Sequence, residues 1–232
     1  LTATNEVFAL DLLGSGLTDK PGDRPLSPQV LAGFVQSFMA TQSIERATLV
    51  GHSMGGGISL EVALAAPHLL ERLVLVASTG LGQDLLFSLR AATLPVFGWL
   101  LTRPTPSTAA NFLRKCVHDG TIVDDELVDR FSALGRLPGA HRAMRSQLRA
   151  AADLRGWRRH TYHPVLERLS GLDIPTLLVW GRQDRIVPLR HAQEACKRLP
   201  RVQMHTFDPC GHLVQLEHPH EFASVLRDFV SG

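Results

Sequence analysis

Short apolar runs separated by turn residues set the rhythm of this chain. Val7–Leu10, Ala47–Val50, Arg72–Ala77, Thr176–Trp180 and Val202–Phe207 are rich in Leu or β-branched residues. Their apolar character is continuous rather than alternating, which predicts strands buried on both faces, as in a parallel sheet flanked by helices. Helix-like stretches lie between them. Ser27-Pro28 supplies an N-cap and a first-turn proline for a helix running towards Gln42. Met54–Ala66 is short-side-chained and stops at Pro67, Pro188–Arg198 follows a loop, and Pro219–Val230 carries Phe222, Val225, Leu226 and Phe229 at helical spacing. Strand and helix alternating with short connections predict the α/β class, with a mostly parallel sheet between helices.

The rhythm breaks between about Leu81 and Ser170. That stretch holds no convincing strand but has helical signals around Leu85–Leu101, Thr108–Val117, Asp124–Leu134 and Arg142–Leu154. The expected organisation is a discontinuous core, 1–80 and 171–232, with a helical cap or lid at 81–170 inserted between two strands. The insertion has 13 Lys+Arg against 8 Asp+Glu, a net of +5, and leaves −3 (11 against 14) for the rest. A solvated helical surface is the plainer reading of that charge; attraction of an anionic substrate is the sharper one.

Composition narrows the field without choosing a function. With 232 residues, 44% of them apolar and 20% charged, the chain reads as one large domain with an insertion. Its net charge of +2 is too small to suggest nucleic acid as a partner. Cys116, Cys196 and Cys210 are too widely spaced for a C-x-x-C pair, so neither zinc nor a disulfide framework is expected, and the default is a reducing, cytoplasmic compartment. The most apolar stretch, Leu85–Leu101, contains Arg90 and Pro95 and is shorter than the ~20 residues of a span. Neither a signal peptide nor a membrane span is expected.

The chemistry concentrates at strand ends. Gly51-His52-Ser53-Met54-Gly55-Gly56 contains G-x-S-x-G where the Ala47–Val50 strand ends and the Met54–Ala66 helix begins. A sharp strand-to-helix turn there would hold the Ser53 hydroxyl clear of the backbone, with Gly51 and Gly55 leaving room for it. The helix would aim its N-terminus, and the Met54 N–H, at negative charge developing on a substrate oxygen. A serine hydroxyl needs a base, and the base needs orienting. Asp184 follows the Thr176–Trp180 strand and His212 follows Val202–Phe207, both at the edge where Ser53 emerges. The order Ser53, Asp184, His212 is the nucleophile–acid–base order of a nucleophile elbow. Asp173 and Asp208 are the other candidate acids. His52 adjoins the nucleophile, but its side chain should point away, so it reads as structural.

These residues resemble the α/β-hydrolase fold family of the capped, single-domain kind. Asp11-Leu12-Leu13-Gly14-Ser15-Gly16-Leu17-Thr18-Asp19 is similar to that family's D-x-x-G-x-G-x-S-D loop. G-H-S-M-G-G is similar to its elbow, Trp180–Asp184 to its acid loop, Gly211-His212 to its histidine loop, and Glu217-His218-Pro219 to the E-x-P that opens the last helix. The resemblance implies Ser53 as nucleophile, Asp184 as acid, His212 as base and the Met54 N–H as one oxyanion donor, with no cofactor and no metal. The family's H-G oxyanion loop and its first strands have no counterpart before Asp11, so the resemblance implies a chain lacking them and weakened in activity. The fold should then show either a gap beside Ala47–Val50 or the Val7–Leu10 strand paired directly against it, with Gly14–Gly16 moved towards Ser53.

Serine at the elbow argues against the dehalogenase and epoxide hydrolase branches, which carry aspartate. The first expectation is a hydrolase of carboxylic esters, with a small-molecule ester or acyl compound as its partner. Hydrolases of carbon–carbon bonds in ring-fission products often resemble G-N-S-M-G-G with tryptophan after the histidine; His52 and Leu213 differ at both positions, and that reading stays as the alternative. A non-catalytic small-molecule receptor on the same fold is the third. Phe97 and Trp99, in the apolar stretch of the cap, are the expected lining of an acyl pocket above Ser53.

Overall fold

A computed structural model describes residues 2, 4–22 and 25–232. Of the lead-in at 1–5, positions 1 and 3 lie outside the described residues. Four parallel strands form the central sheet in the order β1 (Ala47–His52), β2 (Leu70–Val76), β5 (Thr176–Gly181), β6 (Val202–Phe207). Register explains the continuous apolar runs. Leu73 and Leu75 of β2, with Leu178 and Trp180 of β5, face a core that they share with α1 (Pro28–Thr41) and α2 (Met54–Ala65). Val74, Val76, Leu177 and Val179 face the other way, onto Leu226 and Phe229 of the last helix, α11 (Pro219–Ser231). Each inner strand is thus covered on both faces, as a parallel sheet requires.

The helix signals do what their residues imply. The Ser27 side chain accepts from the Val30 N–H and caps α1, whose Pro28 lies in the first turn. Helix α2 stops before Pro67, and α9 (Arg190–Cys196) follows the acid loop. A short helix, α10 (Val214–Glu217), leads into α11.

One expected strand is absent. Val7–Leu10 has no strand conformation and joins no ladder. Its Phe8 ring packs edge-on against Phe38 of α1, 5.8 Å between centroids, while Val7 stays exposed. Among the described residues β1 pairs with β2 alone, so its outer edge is open and Val50 is exposed. Of the two arrangements expected beside Ala47–Val50, the gap is the one present. The Gly14–Gly16 loop closes on itself, with Asp11 Oδ2 accepting from the Leu17 N–H at 2.9 Å. It is held by Gln147 Nε2, which donates to the Leu13 carbonyl at 3.0 Å.

Between β2 and β5 the chain is mainly helical: α3 (Phe87–Ala92), α4 (Pro95–Leu101), α5 (Pro106–Cys116), α6 (Asp125–Arg136), α7 (Ala140–Ala151) and α8 (Arg159–Arg168). Leu85–Leu101 reads as one helical signal but folds as two helices, because Pro95 cannot continue α3. Gly98 permits the fold-back: a Cβ there would lie 2.1 Å from the Ala92 carbonyl oxygen. A two-stranded antiparallel hairpin, β3 (Ala152–Asp153) with β4 (Gly156–Trp157), interrupts the helices where the sequence predicts no strand. Strands of two residues carry no readable alternation. Helix α8 gives no clear sequence signal either, since Pro164 sits inside it and its start, Arg159-His160, is polar. Among the described residues, no helix is long and apolar enough to cross a membrane.

Burial ranks the strands for mutation. Leu178→Ala on β5 should lower the urea unfolding free energy by about 2–5 kcal/mol, whereas Val50→Ala on the open edge should cost under ~1 kcal/mol. Equal losses would mean that β1 is covered in solution.

Candidate active site

The elbow is built by backbone contact. Ser53 has φ 54° and ψ −117°, a left-handed conformation costing about 1–3 kcal/mol for a residue with a side chain. Its N–H donates to the Val76 carbonyl at 2.8 Å, and its own carbonyl accepts from the Thr79 N–H at 3.0 Å. The turn is thus fastened to the end of β2. Gly51 is obligatory, because a Cβ there would meet the Gly55 carbonyl oxygen at 2.5 Å. Gly55 departs from expectation: a Cβ there meets nothing within 4 Å, so the turn does not need its bareness for room. Gly56 and Gly57 are the crowded pair, facing Ser78 Oγ at 2.4 Å and Thr79 Oγ1 at 2.5 Å from their would-be Cβ atoms. The Ser53 side chain makes no capping bond to α2. As the first residue of α2, Met54 has an N–H with no preceding turn to bond to.

Asp184 and His212 come together. Asp184 Oδ2 lies 2.8 Å from His212 Nδ1, with the carboxylate side chain fully buried and the imidazole 4% exposed. Oδ1 accepts from the Ile186 and Val187 N–H groups at 2.7 and 2.9 Å. A carboxylate with both oxygens engaged has one position, and as an acceptor it places the imidazole proton on Nδ1, leaving Nε2 with a free lone pair. The buried indole of Trp180 donates to the Val187 carbonyl at 2.9 Å and holds that turn from beneath. The other two acids stand apart: Asp208 pairs with Arg182 at 2.5 Å and Asp173 faces Arg201 at 3.8 Å, both on the surface.

Several groups fix the histidine loop from outside. The His212 N–H donates to the Cys116 carbonyl at 2.6 Å. One oxygen of Glu217 accepts from the Gly211 N–H at 2.7 Å, and the other accepts from the His118 N–H at 2.7 Å. The end of α5 and the histidine loop are therefore joined through one carboxylate. Gly211 is needed for this approach, since a Cβ would lie 2.7 Å from the Cys116 carbonyl oxygen.

His52 has a part that its sequence position hides. Its Nε2 lies 2.9 Å from the His212 backbone carbonyl, and the two rings are 4.7 Å apart. A carbonyl only accepts, so Nε2 carries a proton, and burial, which pushes the pKa down to about 4, keeps the ring neutral near pH 7. The side chain reaches a residue 160 positions later in the chain. Nothing in the local sequence announces that contact.

Met54 also borders a partly open pocket of ≈ 30 Å³, lined by Leu31, Ile58, Gln147, Trp157 and Tyr162 among others. Its size suits a water-sized guest rather than a substrate. Phe97 and Trp99 do not line it; both lie exposed on α4. Among the described residues, no three or more His, Cys, Asp or Glu side chains are grouped to hold a metal ion.

Comparison with known proteins bears on nearly the whole chain. A family model described as alpha/beta hydrolase fold matches residues 3–219. The chain is 32% identical over 232 residues to a 2-hydroxymuconate semialdehyde hydrolase of Pseudomonas sp. (strain CF600), covering 100% of this chain and 78% of that one. It is 31% identical over 206 residues to a 2-hydroxy-6-oxo-6-phenylhexa-2,4-dienoate hydrolase of Burkholderia cepacia, covering 88% and 69%. A solved meta-cleavage product hydrolase from Pseudomonas fluorescens superposes with a TM-score of 0.80 at 26% identity, covering 95% of this chain and 78% of that one.

The His52 contact carries a pH signature. Burial first, and then the neighbouring His212, push the His52 pKa from 6.5 down to about 4. The unfolded chain takes up this proton near 6.5 and the folded chain only near 4. The resulting destabilisation is absent above pH 6.5, grows as pH falls, and is complete below about 4, reaching at most about 3 kcal/mol. Urea midpoints of the wild type should therefore fall between pH 7 and pH 4.5 by more than those of His52→Gln. Parallel pH profiles would show that the ring titrates freely.

Proposed function

The chain belongs to the α/β-hydrolase fold family, and from that footing we propose that it is a serine hydrolase cleaving carbon–carbon bonds in ring-fission products of the 2-hydroxy-6-oxo-dienoate class. The buried Asp184–His212 contact of 2.8 Å, at the strand ends beside the Ser53 elbow, carries the hydrolase half of this reading. The substrate half is supported by relatives so named that align over most of this chain. Ester hydrolysis, the first expectation, becomes the second reading. It is kept because His52 and Leu213 stand where the carbon–carbon branch often carries asparagine and tryptophan.

The proposed roles follow from proton bookkeeping. Ser53 Oγ attacks the 6-oxo carbonyl while His212 Nε2 takes its proton, and Asp184 steadies the imidazolium. The Met54 N–H, at the positive end of α2, donates to the oxyanion. A carbon leaving group departs with its electron pair only when a carbonyl conjugated with it can receive that pair, here the 2-oxo group through the intervening double bond. The substrate must therefore react as its keto tautomer, in which C5 has already gained its hydrogen, and the leaving dienolate takes on its 2-oxygen the proton held by His212. Water, deprotonated by His212, then hydrolyses the acyl-serine. The net change is one water added across one carbon–carbon bond, giving a carboxylic acid and a 2-hydroxydienoate. We assign the helical segment 81–170 as a lid over this site, and residues 1–80 and 171–232 as the core beneath it.

The test offers the protein a 2-hydroxy-6-oxo-2,4-dienoate and, separately, a short-chain nitrophenyl ester. The expected result is loss of the dienolate's visible absorbance with kcat/KM on the order of 10²-fold above that for the ester. Ser53→Ala and His212→Ala should each lower kcat by several orders of magnitude, because nucleophile and base act as a unit. Turnover of the ester alone would favour the second reading, and stoichiometric binding without turnover would favour a receptor.

A further inference from the structure

Helix α4 is apolar throughout, and folded back on α3 it leaves its large side chains in solvent. Its sequence is PVFGWLL, and Val96, Phe97, Leu100 and Trp99 are 82%, 55%, 53% and 45% exposed. Leu101, on the same helix, is 42% exposed. A soluble face normally scatters such residues; a contiguous group on adjacent turns marks something that covers it.

The charge around the helix says what. From Leu85 to Val117 the chain has four Lys and Arg and no Asp or Glu, and α7 contributes Arg142, Arg145 and Arg149 with no acid. Two of these cations are placed at α4 by contact, and the Arg149 charge acts on one of them, Arg145. Arg145 donates to the Pro95 carbonyl at 2.6 Å and to the Leu94 carbonyl at 3.0 Å. The Arg103 guanidinium sits 4.5 Å over the Trp99 ring, and His141 bonds to Thr102 at 2.7 Å. The Arg145 and Arg103 charges add to burial in holding the His141 pKa below its usual value. Among the described residues, no acidic side chain forms an ion pair with Arg90, Arg103, Arg145 or Arg149.

We propose that α4 and the arginines beside it form a docking surface for an anionic lipid bilayer, with Val96, Phe97, Trp99 and Leu100 entering the interface and Arg103, Arg145 and Arg149 meeting the headgroups. The arrangement has both parts that interfacial binding needs, buried apolar area and attraction to anionic lipid. A second copy of the chain fits worse: a two-fold contact through α4 would bring these uncompensated arginines against their own duplicates. A small anion would satisfy the arginines but leave the apolar surface in water.

Co-sedimentation with large vesicles tests this directly. Phosphatidylcholine vesicles containing about 30 mol% phosphatidylglycerol should bind the protein at least ~10-fold more tightly than pure phosphatidylcholine. Trp99 emission should shift to the blue on binding, since Trp157 and Trp180 are already buried. The Val96→Ser/Leu100→Ser double variant, checked for an unchanged circular dichroism spectrum and melting temperature, should lose binding to both vesicle types. Arg103→Gln/Arg149→Gln should lose the preference for anionic vesicles. Absence of binding by the wild type, or equal binding by the apolar double variant, would overturn the proposal. So would a dimer in sedimentation velocity that Val96→Ser/Leu100→Ser dissociates, because a second copy would then be the occupant.

Discussion

A carboxylate with no solvent contact has lost the water that would satisfy its oxygens and must find donors in the fold, and Asp184 is supplied with three. Two are backbone N–H groups of its own turn, at Ile186 and Val187, and the third is the His212 imidazole. Stripping water from such a group costs several kcal/mol, and each missing donor would leave part of that cost standing. The turn at 184–187 therefore cannot relax, and much of its surroundings follows. Trp180 is buried beneath it with its indole N–H committed to Val187. Gln183 ties it to the next loop, donating to Asp208 at 2.8 Å and accepting from the Cys210 N–H at 2.8 Å. Adjacent pairing of β5 with β6 brings those two loops together in the first place.

The histidine loop has less of its own structure and borrows rigidity. Its backbone is bonded to the Cys116 carbonyl, to the Glu217 carboxylate and to the His52 side chain, three groups from three parts of the chain. Glu217 is the economical element, because its two oxygens serve the loop and the residues after α5 together. The position of His212 is consequently coupled to the helical insertion. Residues 116–118 of that insertion and the loop at 211–212 therefore share one hydrogen-bonded network.

The elbow and the insertion show opposite uses of small residues. At the elbow, Gly51, Gly56 and Gly57 let α2 start hard against β1 and the 78–79 segment, with Ser53 between them at a positive φ. In the insertion, Gly98 lets α4 fold back on α3 and leaves the large side chains of α4 on the outside. The first close approach sets the sharp turn at Ser53. The second exposes an apolar surface flanked by arginines, although composition places the same residues among core formers.

Much of the fold and the site is legible in the order of residues alone. Continuous apolar runs at 72–77 and 176–180 require cover on both faces, and Ser27-Pro28 or Pro67 start and stop helices by local rules. Ser53, Asp184 and His212 stand out because each follows a strand, and strand ends in a parallel sheet share one edge. Other features are decided by contacts between residues far apart in sequence. Val7–Leu10 has the composition of a strand, yet a strand exists only where a neighbouring ladder receives it, and the open edge of β1 does not. His52 bonds across 160 positions, and Glu217 reaches back 99 positions to His118 while holding Gly211 nearby. Phe97 and Trp99 read as pocket or core by type, and the fold-back at Gly98 turns them to the surface. Local sequence determines conformational preference and reactive chemistry; which faces are covered, and what meets across the fold, depends on long-range packing that local preference does not encode.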